Sequence, residues 1–303
     1  MALQTRAGET QVRLGLPMTD LTMIAVVLIW GLNFSVMKIG LRELPPPAFA
    51  GLRFAGAAVL LWLVLLWREG WPALPRGVMW KLTWVGIVGN TLYQLGFTYG
   101  LRITTAANAS LLIATTPALV AFFGALLGIE RLRRHTILGI ALAFAGVALV
   151  VAAGQLHFTA ESRLGDLLLF GCAVCWTIYT LGVRTLAQGL SPLAITTWTT
   201  ITGAPALLLF GLPDLLRLDW AGVAVSAWAS LGYATAIALV VAYVLWNNSV
   251  RVAGSNRTAI YGCAIPVGAA LFAWPLLGEE PTWMQAAGAL LIVSGVLLTR
   301  WKA

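Results

Sequence analysis

The sequence predicts an all-α polytopic membrane protein: ten transmembrane helices, arranged as two inverted five-helix repeats around a central cavity. Three observations predict it: an apolar composition, ten long apolar runs and an internal repeat. Of the 303 residues, 60% are hydrophobic and only 10% are charged, and mean hydropathy is +0.88. A soluble domain carries about 25% charged residues. A chain this apolar has too little polar surface for water, so lipid must be its solvent over most of its length. The net charge of +8 does not point to nucleic acid, because Lys and Arg sit in short segments between apolar runs and form no phosphate-facing stripe.

A spanning helix needs about 20 mostly apolar residues. Runs of that kind cover approximately 20–41, 46–67, 77–101, 104–128, 134–153, 164–186, 191–212, 219–249, 255–277 and 281–300. Helices and closed barrels alone satisfy backbone hydrogen bonds in lipid, and these runs are too long and too little alternating for barrel strands. Pro45-Pro46-Pro47 separates the first two spans and Pro192 the sixth and seventh. Orientation follows the excess of Lys and Arg in cytoplasmic segments. With the N-terminus inside, Arg68, Arg76, Lys81, Arg131, Arg133, Arg134, Arg184, Arg251 and Arg257 join Arg6, Arg13, Arg300 and Lys302 on the inner side. Lys38, Arg42, Arg53, Arg102, Arg163 and Arg217 remain outside. Both termini are therefore expected in the cytoplasm. Residues 1–19 read as a polar tail with no secretory signal.

The repeat sets the expected organisation. An offset of 146 carries Trp30 onto Trp176, Lys38 onto Arg184 and Pro46 onto Pro192; an offset of 149 carries Pro117 onto Pro266, Phe123 onto Phe272, Glu130 onto Glu279, Gly139 onto Gly288 and Gly146 onto Gly295. The first repeat is read as residues 20–153, the linker as 154–163 and the second repeat as 164–303. Five spans per half make the halves enter the membrane in opposite senses, a pattern of transporters whose substrate site lies between the halves near the midplane. A pseudo-symmetric channel or scaffold is the competing reading.

Polar groups at membrane depth face protein or a water-filled cavity. In the third span Asn90, Gln94, Phe97 and Thr98 share a face, flanked by Tyr93 and Tyr99, and the repeat pairs this stripe with Tyr243, Trp246 and Asn247 in the eighth. Trp30 and Asn33 in the first span pair with Trp176 and Tyr179 in the sixth. Such aromatic rings with one polar handle suit amphipathic solutes and attract an ammonium group. The alternative for all of them is hydrogen-bonded glue between helices. Pro117 and Pro266 should break the fourth and ninth spans as hinges at the binding region, with Asn108, Ser110, Thr115, Thr116 and Tyr261 able to satisfy freed carbonyls or line the cavity. The threonines of the seventh span, Thr196 to Thr202, either face the cavity or bond back to their own helix.

No Asp or Glu is placed at mid-span depth. Cys172 and Cys175 form a C-x-x-C inside an apolar run with no second pair and no nearby His, which reads as small buried residues and not as a metal or redox site. The two histidines, His135 and His157, fall in loops, and no nucleotide-binding loop, zinc-binding motif or catalytic triad is present. The expectation is a protein that is not an enzyme, with no cofactor and no metal.

These residues together resemble a known family. The early tryptophan followed by Gly31-Leu32-Asn33-Phe34, the Arg53-Phe54 pair, mid-span Pro117 and the turn ending in Glu130 look like the drug/metabolite transporter superfamily of EamA type, and within it the bacterial YddG-type exporters of aromatic and other amino acids. The resemblance covers almost the whole chain after residue 20. It implies a basket of helices in the bacterial inner membrane, exporting amino acids and related metabolites by alternating access, with the lipid bilayer and small-molecule substrates as partners and no ATPase subunit. A broader drug or nucleotide-sugar carrier is the alternative, and a lipid-modifying enzyme is the reading least favoured. Arg53 is expected to snorkel from a span end, since the repeat replaces it with Thr199. With Arg53 at the rim no cation lies deep in the cavity, which counts against a phosphate-bearing substrate.

Overall fold

The structure, a computed structural model, describes residues 18–70, 76–128, 134–154, 160–186 and 189–298. The N-terminal tail, the middle of the expected linker and the Glu130–Arg133 stretch lie outside them. Every regular element among the described residues is helical. The helices are α1 (Met18–Gly40), α2 (Pro46–Glu69), α3 (Arg76–Gly86), α4 (Tyr93–Ile103), α5 (Ala106–Ile113), α6 (Thr116–Leu126), α7 (Arg134–Gly154), α8 (Ala160–Leu186), α9 (Pro192–Arg217), α10 (Val225–Thr235), α11 (Ala242–Ala253), α12 (Ser255–Tyr261), α13 (Ile265–Leu277) and α14 (Trp283–Leu298). Six described helical segments are long and apolar enough to cross a membrane, and three further apolar helices are shorter. The expected third span runs from α3 to α4 through a π-helical segment, Ile87–Leu92. The eighth runs from α10 to α11 through another, Ala236–Val241. The two π segments coincide at the 149-residue offset.

The distribution of side chains inverts that of a soluble protein. Trp67, Leu209 and Leu216 are exposed, while Asn90, Gln94, Asn108 and Asn247 are buried. Apolar atoms facing outward and amides facing inward are stable only where the surroundings are hydrocarbon.

The packing has the symmetry of the repeat. The most extensive contacts join α2 to α9 and α7 to α14, each pairing a helix with its own equivalent. The contact of α1 with α13 is matched by that of α8 with α6, and α4 on α8 by α11 on α1. Between α7 and α14 the approach depends on glycine. A Cβ on Gly146 would lie 2.7 Å from the Gly288 carbonyl oxygen, and one on Gly295 would lie 2.5 Å from that of Gly139. These are the two glycine pairs related by the repeat, used reciprocally. Small residues let backbones meet where lipid gives helices no hydrophobic reason to associate.

Four of the five threonines of α9 settle on their own helix; the Thr200 hydroxyl is buried without a partner among the described residues. Thr196, Thr197, Thr199 and Thr202 donate to the carbonyls of Pro192, Leu193, Ile195 and Trp198, four residues back, at 2.7–2.9 Å. Cys172 is buried, 3.2 Å from the Tyr93 carbonyl, and among the described residues no group of His, Cys, Asp and Glu is placed to hold a metal.

Candidate functional site: a central aromatic cavity

The expected fourth and ninth spans are both interrupted, and the interruptions face one cavity. In the first half α5 ends at Ile113, Ala114 and Thr115 form a turn, and Pro117 opens α6 near its first position, where its missing N–H costs no helical bond. Thr115 and Thr116 donate to the carbonyls of Leu112 and Ile113, both at 2.7 Å, so hydroxyls take over carbonyls that the break releases. In the second half a 3-10 turn, Gly262–Ala264, separates α12 from α13, with Pro266 at the start of α13. The cavity is lined by Ser110, Ile113, Thr116 and Pro117 from one break and by Ala259, Gly262 and Ile265 from the other.

The remaining walls come from α1, α2, α4, α8 and α11: Trp30, Asn33, Phe34, Arg53, Tyr93, Gln94, Phe97, Trp176, Tyr243 and Trp246. Trp176 is the hub. Its ring centroid lies 5.1 Å from Tyr243, 5.4 Å from Tyr93, 5.7 Å from Trp30 and 5.8 Å from Trp246. Behind it Tyr179 stacks at 4.8 Å with planes inclined by 18°. Trp30 donates its indole N–H to the Ala238 carbonyl, inside the second π segment, at 2.8 Å. A π turn offsets carbonyls from the regular ladder, and this one receives a donor from the opposite half. The cavity volume is about 60 Å³, enough for a few waters.

Arg53 corrects the sequence reading. It does not snorkel to an interface but is 2% exposed and forms part of the cavity wall. Its Nε donates to the Ala234 carbonyl at 2.9 Å, and its Nη1 lies 3.1 Å from both the Gln94 Oε1 and the Met37 sulfur. Arg53 forms no ion pair among the described residues; the ion pair they contain is elsewhere. The cation that the sequence placed at the rim is therefore in the interior.

That ion pair ties the two halves at the end of the bundle read as external. Lys38 Nζ lies 2.8 Å from Glu279 Oε1 and donates to the Thr104 carbonyl at 2.6 Å; Glu279 Oε2 accepts the Ala106 N–H at 2.9 Å. Gly278, left-handed at φ 71°, ends α13 and turns the chain so that Glu279 leads out of the helix.

Of the twelve residues proposed from sequence for the cavity, Trp30, Asn33, Tyr93, Gln94, Trp176, Tyr243 and Trp246 line it, as does Pro117. The others do not. Asn90 ties the first π segment to α9 by donating to the Thr199 carbonyl at 2.7 Å. Tyr179 and Asn247 form a layer behind Trp176, with the Asn247 amide 2.9 Å from the Tyr179 hydroxyl and 2.7 Å from Thr196 Oγ1. Tyr99, six residues beyond Tyr93, is turned to another face and is 44% exposed. Tyr261 and Pro266 sit beside lining residues without being among them. Sequence reasoning missed Phe34, Arg53, Ile113, Ala259, Gly262 and Ile265; the signal available was the helical neighbourhood of Asn33 for Phe34 and, apart from Arg53, proximity to the two proline breaks for the others.

The EamA-like transporter family model matches residues 17–152 and again residues 163–301. An uncharacterized transporter of Archaeoglobus fulgidus is 33% identical over 291 residues, covering 94% of this chain and 98% of the relative. A probable amino-acid metabolite efflux pump of Salmonella typhimurium is 28% identical over 285 residues, covering 91% and 92%. A protein of known crystal structure shares the fold with a TM-score of 0.67 at 23% identity over 93% of this chain and 97% of that one. With both halves matched and relatives aligned end to end, this multi-pass membrane protein belongs to the EamA-like transporter family.

Proposed function

We propose that the protein exports amino acids, aromatic and other neutral ones, from the cytoplasm of a bacterium across its inner membrane by alternating access, with both termini cytoplasmic. The observation that carries this reading is the cavity itself. Aromatic faces from both halves enclose a small volume at two discontinuous helices, with polar handles at Gln94, Asn33 and Arg53. Broken helices at the interface of repeats are where transporters place substrates, and rings with one polar tip match a solute with an apolar side chain and a charged backbone end. The efflux-pump relatives support the same substrate class.

The Lys38–Glu279 clamp is the closed outer gate in this reading. The repeat carries Lys38 to Arg184, Thr104 and Ala106 to Ala253 and Ser255, and Glu279 to Glu130. A cytoplasmic gate would thus use Arg184 and Glu130. Glu130 lies outside the described residues.

Export is testable in whole cells. Cells fed a phenylalanine-containing dipeptide and expressing the protein should release phenylalanine several-fold faster than cells lacking it. Equal release at verified expression contradicts the proposal. A nucleotide-sugar carrier has one observation in its favour, the buried Arg53, but Arg53 is the sole cation lining the cavity among the described residues, and a diphosphate calls for more.

A further inference from the structure

Arg53 is an expensive residue to hold where it is. A guanidinium keeps its proton in any protein environment, and an unpaired charge inside a membrane protein marks a functional site by default. The neighbours of Arg53 are all neutral: the Ala234 carbonyl, the Gln94 amide oxygen and the Met37 sulfur. They engage Nε and Nη1. Of the five donors of the fork, those on Nη2 have no partner among the described residues, and Nη2 is not among the atoms sealed from all solvent. The fork of this cavity-lining residue therefore keeps two unpartnered N–H groups and lacks a counter-charge.

Two further orphans belong to residues that line the same cavity. The Asn33 Oδ1 and the Trp246 indole N–H are buried without hydrogen-bond partners. Unsatisfied buried polar atoms are rare and call for an explanation. Asn33 is held beside Arg53, since its Nδ2 lies 3.3 Å from the same Met37 sulfur that Arg53 contacts at 3.1 Å. Arg53 and Asn33, joined through the Met37 sulfur at the polar end of an aromatic box, offer a cationic donor pair and a neutral acceptor, the chemistry that a carboxylate and an ammonium on one carbon require.

We propose that Arg53 binds the carboxylate of an α-amino acid through Nη2 while Asn33 Oδ1 accepts from its ammonium group, so that the cavity selects substrates by their free carboxylate. The inference rests on the exporter reading and deepens it. Arg53 thereby gains its counter-charge only when the cavity is filled, and the aromatic rings receive the side chain.

The test is competition against labelled L-phenylalanine taken up by proteoliposomes preloaded with unlabelled L-phenylalanine. Excess external L-phenylalanine should abolish the signal and 3-phenylpropionate should reduce it, while L-phenylalaninamide at the same concentration should bind at least about tenfold more weakly, the loss expected for one hydrogen-bonded charge. Inhibition by the amide equal to that by the acid overturns the proposal even though transport proceeds. Arg53→Met should cut exchange about tenfold or more and Arg53→Lys less so, with both variants monodisperse. Wild-type exchange by Arg53→Met also overturns it, and should that variant aggregate, competition on the unaltered protein decides. If no amino acid exchanges beside a working control carrier, the exporter reading falls and this inference with it.

Discussion

Trp176 touches four other rings of the cavity wall and rests on Tyr179 behind it. Removing it should act on the site more than on the fold only where the replacement still fills space. Trp→Ala leaves a void costing about 3–5 kcal/mol, whereas Trp→Phe keeps much of the contact. Trp176→Phe should therefore stay folded and raise the KM for phenylalanine about three- to tenfold, from the loss of part of one ring contact of about 0.5–1.5 kcal/mol; an unchanged KM in folded protein removes Trp176 from the site. At this scale the sequence was legible where pattern and repeat agreed, as for Trp30 with Trp176 and Gln94 with Tyr243. Gln94 Nε2 and the Tyr243 hydroxyl, equivalent by repeat, in fact meet at 3.4 Å. It was not legible for Arg53. Seven residues from Pro46, that side chain has the reach to leave the membrane, and only the wrapping of α1 and α10 around it, seen in its contacts with Met37 and Ala234, encloses it. Asn90, Asn247 and Tyr179 carry the right residue types, but their partners on α9 and α8 use them as tethers, a choice between glue and site that residue type alone does not make.

The helices were legible in proportion to how local their causes are. Both mid-span prolines do break their helices, because proline lacks the donor and clashes with the preceding turn whatever surrounds it. The break in the first half is mended by Thr115 and Thr116, while the equivalent positions in the second are Ala264 and Ile265, which have no hydroxyl. The second break thus lacks the hydroxyl mending of the first and is the one expected to move. Pro266→Ala, which restores an N–H and a continuous helix, should lower the turnover of exchange several-fold while changing substrate affinity less than twofold; an equal loss in both excludes a hinge at α13. The π segments at Ile87–Leu92 and Ala236–Val241 were not foreseen. Their i→i+5 bonding has no composition signature, and the second serves a tertiary purpose by presenting the Ala238 carbonyl to Trp30. The close passage of α7 and α14 was hinted at by the repeat-matched glycines, although their reciprocal contact with opposite carbonyls needs the fold to be seen.

Across the whole molecule, composition and repeat were enough for the class, because lipid leaves few architectures open and duplication writes the same landmarks twice. They were not enough for the state of the gates, which depends on which of two equivalent sets of contacts is formed. Lys38, Glu279 and the start of α5 come from both halves and are joined at one end. The central claim, that amino acids cross through this cavity by alternating access, is tested most directly by counterflow in proteoliposomes holding the purified protein, loaded with unlabelled phenylalanine, methionine or threonine and exposed to the labelled form. The account predicts a transient overshoot of label that depends on the internal amino acid. It also predicts that a Lys38→Cys/Glu279→Cys protein loses the overshoot when the two thiols are joined by a short bis-methanethiosulfonate cross-linker and regains it on reduction. Absence of overshoot with intact protein and an active control carrier would contradict amino-acid carriage, and undiminished overshoot with the cross-link formed would contradict the outer gate.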